Sequence, residues 1–486
     1  TKVGNKTASK WLNTYGNLEN ILKNCEEITG VVGQNLRDEK EVLQRNLFLV
    51  SLKYDIKLDL SFDDINIPEP SSRELKAFYK ELEFNSFIGE TNDKRKTDYV
   101  TIRNIDELEK LESKLNDAEY FAFDTETTSL NSHEAELVGA SFSVKKDEGF
   151  YIPINHVEQT KLNASELVGW LKEILEVNQN KIIGQNLKYD IAVLRNHNIQ
   201  LKGFFADTML MSYATNSTSS RHNLDALAEH YLNTTTIKYE DVIGKGAKKY
   251  KNFSEVPIKE ATNYAAEDAD ITLQLYEKLI KVIDKSSLKL LKTIDYPLLF
   301  VLLEMERKGA LIDTSHLNKL SKDFGAKLLD LVKKIHAASG SVFNIDSPKQ
   351  LSEILFEKLE IDTKGLKKTS TGYFSTSEPV LQKLSNENEI VKDILGYRSL
   401  AKLKSTYTDK ISEICDQNSR VHTSYHQAVT STGRLSSSDP NLQNIPIRTK
   451  EGITIREAFI APENKKILAM DYSQIELRLM AHYSQD

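Results

Sequence analysis

Apolar and polar positions along the chain fall into three regimes. Up to about residue 60 apolar residues recur at helical spacing in short runs, and "VGNKTASKWLNTYG" places Gly4, Lys6 and Thr7 in a tight turn ahead of an amphipathic helix. "INIPEPSSRELKAFYKELEF" predicts a Pro-marked loop and one more helix, and the polar run "GETNDKRKTD" (89–98) reads as a linker. From about 99 strand-like and helix-like patterns alternate. "YFAFDTE", "LVGASFSV" and "GFYIPI" predict strands, "ASELVGWLKEILEV" a helix, "KIIGQN" a strand and "LKYDIAVLRNHN" a helix. "IKEATNYAAEDADITLQLYEKLIKVIDK" closes this α/β region as one long helical run. From about 290 helices dominate. "DYPLLFVLLEMERKG" stops at Gly309; "SPKQLSEILFEKL" has Ser347 as N-cap, Pro348 at the first helical position and Gln350 closing a capping box; "LGYRSLAKLKSTYTDKISEI" is a further helix. Beyond Arg420 the chain turns polar and loop-rich, and "KKILAMDYSQIELRLMAHYSQD" predicts a core strand over Ile467–Met470, then Asp471 and a helix start. The expected class is a multidomain α/β and α protein.

A chain of 486 residues exceeds one core, so several domains are expected. No apolar run of about 18 residues predicts a membrane span, and the first residues have no apolar core of a signal peptide. Cys25 and Cys415 are too few and too far apart for a disulfide framework or a zinc site, which fits a reducing cytoplasm. The missing initiator Met, and the lack of a helix stop before Asp486, raise the expectation that the chain is a piece of something longer. The net charge of −7 does not suggest nucleic-acid binding, although a local basic groove can exist on an acidic protein.

The chemistry begins with Asp124 and Glu126 in "YFAFDTETTSL". Two residues apart on a strand, they share a face, where like charges repel and burial adds to the cost. Asp190 in "IIGQNLKYDIAVL" falls on the first turns of an apolar helix. Tyr264 and Asp268 in "NYAAEDAD" are four apart and share a helix face, from which Glu267 and Asp270 turn away. Singly, each is ordinary: a strand-end cap, an exposed helix acid, a surface pair. Together, four carboxylates from separate segments are tolerable around hard cations. Two ions about 3.5–4 Å apart would clamp the attacking and leaving oxygens of a phosphodiester, with Tyr264 orienting the water.

That order, strand DxE, an Asp near a helix start, then YxxxD, resembles the 3′–5′ proofreading exonucleases with four acids and a Tyr. The resemblance implies a ribonuclease H-like α/β domain over 99–286, with Asp124, Glu126, Asp190 and Asp268 holding two Mg²⁺ (or Mn²⁺) and Tyr264 at the attacking water. Its substrate would be a single-stranded DNA 3′ end.

"YHQAVTSTGRLSSSDPNLQNIPIR" and "LAMDYSQIELRLMAHYSQD" supply a second set. Arg434, Asn441, Gln443 and Asn444 suit groove acceptors and phosphates, or else a polar loop network. Asp471, Tyr472, Ser473, Gln474 and Glu476 stand at a strand–helix junction. Both stretches are similar to family A DNA polymerases. The resemblance implies that Asp471 binds the catalytic metals, that Tyr472, Ser473 and Gln474 lie at the incoming dNTP, and that Glu476 closes off the 2′ side of its sugar. It implies that Arg434 reads the primer–template minor groove, with Asn441, Gln443 and Asn444 near the duplex. Lys402, Lys404, Ser405 and Thr406, with the loop "KKTSTGYFSTSE" (367–378), look like the thumb, whose chemistry is phosphate contact. Residues 290–486 would be thumb and partial palm. Residues 1–88 would be the end of a 5′ nuclease domain, with Gly4, Lys6 and Thr7 as DNA contacts at a helix–hairpin–helix turn that offers backbone N–H groups and a Lys to a phosphate, or else a plain helix start with a Gly turn. The fingers and second palm carboxylate of the family are absent from the sequence, so the resemblance implies hydrolysis without polymerisation, in a monomeric, nucleoid-associated bacterial enzyme. Two alternatives stand beside it. A free-standing exonuclease resembling ribonuclease D has no need of "TGRLSSSDPNLQNIP" or "DYSQIELR"; a non-catalytic DNA-binding protein would have lost acids that are all present here.

Overall fold

The computed structural model describes residues 3–57, 78, 79, 82, 84, 96–158, 160–176, 181–219, 221–246 and 249–485. All but Phe78, Tyr79, Leu82 and Phe84 of the segment "SSRELKAFYKELEF", where a helix is expected, and most of the 89–98 linker lie outside the described residues. Thr1–Gly89 and Glu90–Asp486 are separate compact units.

The first unit holds helices α1 (Asn5–Tyr15), α2 (Leu18–Lys23), α3 (Gly30–Asp38) and α4 (Lys40–Val50) around Ile21, Leu22, Cys25, Ile28 and Leu36. The expected turn at Gly4, Lys6 and Thr7 is shorter than the pattern suggested. Gly4 is the N-cap, its carbonyl already accepts from the N–H of Thr7 and of Ala8 at 3.0 Å, and Lys6 and Thr7 stand inside the first turn of α1.

In the second unit, β1 (Asp98–Thr101), β2 (Tyr120–Thr127), β3 (Leu137–Ser143), β4 (Glu148–Pro153), β5 (Lys181–Gly184) and β6 (Phe204–Asp207) form one sheet in the order β1-β4-β3-β2-β5-β6. β2 is central, antiparallel to β3 and parallel to β5. Helix α5 (Ile105–Asp117) shows why its segment is helical. Asn104 accepts from the Glu107 N–H at 3.0 Å, Glu107 reaches back to the Arg103 N–H at 2.6 Å, and Leu108, Leu111 and Leu115 line the buried stripe. α6 (Ala164–Glu176) and α7 (Leu187–Asn196) pack on the same core, and α8 (Thr208–Thr215) follows β6 directly.

The long helix α9 (Ile258–Val282) lies against β1, β3 and β4. A Cβ at Gly149 of β4 would come within 2.6 Å of the Ala266 carbonyl, so glycine there allows the close approach that seats Tyr264 and Asp268. The core does not end with α9. Leu291, Tyr296, Leu299 and Leu303, the last three from α10 (Tyr296–Lys308, stopped by Gly309), belong to the same cluster as Phe121 and Phe123 of β2.

Helices α11 (Thr314–Ser339) and α12 (Glu389–Leu403) pair beyond it, and the chain then folds into the hairpin β7 (Ser424–His426) and β8 (Ser436–Ser438). Ser347 caps its helix as expected, accepting from the Gln350 N–H. The capping box does not close, because the Ser347 N–H is bonded to the Asn344 carbonyl and Gln350 accepts from the Asn344 N–H instead. The strand expected over Ile467–Met470 is absent. Ile467, Leu468 and Met470 are exposed, no described strand pairs with them, and an unpaired strand leaves its N–H and C=O groups to water. Helix α13 (Ile475–Ser484) does form.

Candidate metal-binding and DNA-binding sites

Strand alternation puts Asp124 and Glu126 together, and α9 brings Asp268 up to them: ligating oxygens of these three lie within 4.8 Å of one another. Asp190, on the first turn of α7, is not among them. Its Oδ1 accepts from the Thr125 hydroxyl at 2.5 Å and the Thr125 N–H at 3.1 Å, which ties α7 to the residue between the two strand acids. Tyr264 stands one turn before Asp268 on α9. Glu267 and Asp270 are committed elsewhere. Glu267 accepts from the Ile237 N–H, and Asp270 from Tyr99 Oη, the Asp147 N–H and Gln274 Nε2.

Burial is the first cause that drives all four carboxyls well above their usual range. Asp268 adds to it at Asp124; Asp124, Asp268 and Asp190 add to it at Glu126; Asp124 adds to it at Asp190; and Glu267 adds to it at Asp268. Burial, then Asp268, holds the Tyr264 phenol far above its ordinary value, so it keeps its proton. Glu126 Oε1 is buried with no hydrogen-bond partner among the described residues. An orphaned oxygen in an all-oxygen donor set fits a hard divalent cation.

Residues outside the motifs complete the wall. Gly139 of β3 stands opposite Glu126, and a Cβ there would meet Tyr151 Oη at 2.1 Å. His156 Nδ1–H donates to the Val256 carbonyl at 3.1 Å, so its Nε2 accepts from the Tyr151 hydroxyl at 2.7 Å. The Tyr239 ring, part-exposed, stands edge-on to Tyr264 at 6.3 Å. Thr125 lay inside the quoted motif and could have been named; Tyr151, His156 and Tyr239 are joined to the acids only by the fold.

The second set is arranged differently. Asp471, Tyr472, Ser473 and Gln474 are exposed, Gln474 in the left-handed region (φ 51°) at the start of α13. Arg434 and Glu476 form an exposed ion pair at 2.9 Å that joins the two motif stretches. Asn441 is used by the fold, its Oδ1 accepting from the Gln443 N–H and the Ser437 hydroxyl, both at 3.1 Å. Gln443 and Asn444 are exposed. Lys402 and Ser405 are exposed, Thr406 is part-buried, and Lys404 pairs with Asp409 at 2.7 Å. Gly4 and Lys6 are exposed in the first unit. Among the described residues no helix is long and apolar enough to cross a membrane.

Comparison with known proteins agrees with this layout. Residues 99–284 match the family model for 3′–5′ exonuclease, 314–486 that for DNA polymerase family A, and 1–73 that for the 5′–3′ exonuclease C-terminal SAM fold. The family A DNA polymerase match is thus confined to residues 314–486 and the 3′–5′ exonuclease match to residues 99–284. The chain is similar throughout its length to DNA polymerase I of Pseudomonas aeruginosa (42% identical, covering 100% of this chain and 56% of that protein). DNA polymerase I of Borreliella burgdorferi is 36% identical over the same shares, and that of Bacillus subtilis 35% identical over 100% and 54%. The chain thus spans about half the length of the curated relatives it matches. Among solved structures, the POL domain of Pol1 from M. smegmatis in complex with DNA primer-template and dNTP matches with a TM-score of 0.64 at 28% identity, covering 80% of this chain and 63% of that one.

Proposed function

We propose that residues 99–286 hydrolyse DNA from its 3′ end and that residues 290–486 grip primer–template duplex, with 1–88 a further DNA-contacting piece and 89–98 the linker between. The observation that carries the nuclease reading is the meeting of Asp124, Glu126 and Asp268 around an unpartnered buried oxygen of Glu126. Mg²⁺, or Mn²⁺ in its place, would be held by Asp124, Glu126 and Asp268, with Asp190 beside them; when bound it offsets phosphate charge and lowers the pKa of water.

The chain's own groups set the rest. Tyr264 keeps its proton, so it orients the attacking water by hydrogen bonding rather than by removing a proton. Asp190, fixed through Thr125, holds α7 in register with β2. The water oxygen bonds to phosphorus, the bond from phosphorus to the 3′ oxygen of the preceding nucleotide breaks, that 3′ oxygen takes up through solvent the proton the water gives up, and a nucleotide 5′-monophosphate leaves. On the polymerase side, the matched structure was solved with primer-template and dNTP. That supports Arg434, Gln443, Asn444 and the Lys402 to Thr406 segment as duplex contacts. It also supports Asp471 as a metal ligand, and Tyr472, Ser473, Gln474 and Glu476 as nucleotide contacts, in the longer relatives. We place the protein in the bacterial cytoplasm at the nucleoid, as a monomer.

The test is a 5′-labelled single strand, and the same strand annealed as a primer, incubated with Mg²⁺ with and without dNTPs. Stepwise shortening that EDTA stops and Asp124→Ala abolishes is the expected result. A full-rate Asp124→Ala would sink the nuclease reading.

A further inference from the structure

We infer that Tyr213, on the nuclease side, is a positioning residue for Arg434, clamping from outside the loop that presents it; this rests on the reading of Arg434 as a duplex contact. The loop 427–435 joins β7 to β8. Residues 431–434 are exposed, and the backbone turns at Gly433 with φ +79°, a conformation that favours glycine. A surface turn of this kind has no strand ladder to hold it.

The hold comes from α8 and the residues after it. The Tyr213 hydroxyl donates to the Thr430 carbonyl at 2.6 Å and accepts from the Gly433 N–H at 3.1 Å, so one phenol closes the turn from both ends. Ser217 Oγ donates to the Ser431 carbonyl at 3.2 Å. Inside the loop, Thr430 Oγ1 donates to the Arg434 carbonyl at 2.6 Å. Arg434 is therefore the first residue past a turn whose geometry is set by a side chain more than two hundred positions away.

Tyr213 is itself well fixed. It is half-buried, with its ring edge-on to His222 at 5.5 Å, and His222 Nδ1 is hydrogen-bonded to Ser212 Oγ at 2.9 Å. Its helix is bolted to the nuclease acids. Asp207, the buried N-cap of α8, accepts from the Leu210 N–H at 3.2 Å, and also from the Leu187 N–H at 2.8 Å, at the start of the helix that carries Asp190. Arg434 and Asp190 are thus referenced to one rigid corner. The orientation of the duplex contact is set by the nuclease fold and not by the hairpin alone.

The test uses the full chain. Tyr213→Phe keeps the ring and its packing and removes only the hydroxyl; Ser217→Ala removes the second hold. Primer–template affinity is measured in EDTA, hydrolysis of a single strand in Mg²⁺, and amide hydrogen exchange across 430–434. Tyr213→Phe should speed exchange at Gly433 and weaken duplex binding about three- to tenfold, the worth of one or two hydrogen bonds. It should leave single-strand hydrolysis unchanged and add nothing to Arg434→Ala in the double variant. Unchanged exchange at Gly433, unchanged duplex affinity, or a loss that adds fully to that of Arg434→Ala overturns the inference. Arg434→Ala with full duplex affinity is a separate result: it removes the reading of Arg434, and the role of the clamp with it, even where exchange at Gly433 rises.

Discussion

Asp124 and Asp471 each follow an apolar run, and their surroundings could hardly differ more. Asp124 sits in a central strand with β3 on one side and β5 on the other, among carboxylates whose proton affinity that burial has raised. Asp471 follows Ile467, Leu468 and Met470, which are exposed and unpaired, and it stands in water. An apolar run is thus only half of a strand. The other half is a neighbour with which to exchange N–H and C=O bonds, and only with one does a carboxylate at that place become unusual.

Substitutions at the two positions should separate them sharply. On the proposed reading Asp124→Ala removes a ligand to a cation that would supply several kcal/mol of charge stabilisation, so hydrolysis of a labelled strand should fall by about 10³-fold or more. Asp471→Asn, assayed alongside, should leave that rate within about twofold, since the residue lies apart from the acid cluster. Comparable losses from both would erase the contrast.

The hydrophobic residues behind each acid come next. Phe123→Ala empties a fully buried site in β2 and should cost about 3–5 kcal/mol in chemical denaturation. Leu468→Ala trims a side chain that is 78% exposed and should stay within about 0.5 kcal/mol. A large cost at Leu468 would mean that the run finds a partner in solution.

The smallest effect is electrostatic. The raised carboxyl groups mean that the folded protein binds more protons than the unfolded one above the ordinary carboxylate pKa of about 4. Stability in EDTA should therefore fall as pH rises from about 4 toward neutrality, the reverse of a salt-bridged acid. Glu126→Gln should raise the melting temperature by several degrees in EDTA at pH 8. Mg²⁺ at 100 times its Kd should stabilise the parent chain by about 2.7 kcal/mol and Glu126→Gln much less. A parent chain whose melting point ignores both pH and Mg²⁺ would show that the acids do not repel.

Local periodicity made the strand acids, the Tyr264 and Asp268 pair, and the cap at Ser347 legible. Each depends on residues two to four apart. What stayed hidden depends on the fold: the Thr125 grip on Asp190 spans 65 positions, and that of Tyr213 on Thr430 spans 217. The strand at Ile467–Met470 failed for a related reason, since β propensity describes a fit to neighbours. Gln350 was misplaced because the chain had already satisfied the group it was meant to cap.

The core shared by β2 and α10 has a practical meaning for anyone who wants the nuclease by itself. A chain cut where α9 stops would lose Leu291, Tyr296, Leu299 and Leu303 and bare the apolar surface they cover. It would also strand Lys188, two residues from Asp190, which is half-enclosed between Glu306 at the end of α10 and the Tyr425 carbonyl at 2.5 Å. The smallest stably folded piece that holds the acid cluster should therefore end no earlier than Gly309, with the first helix of the neighbouring segment travelling with it as a lining.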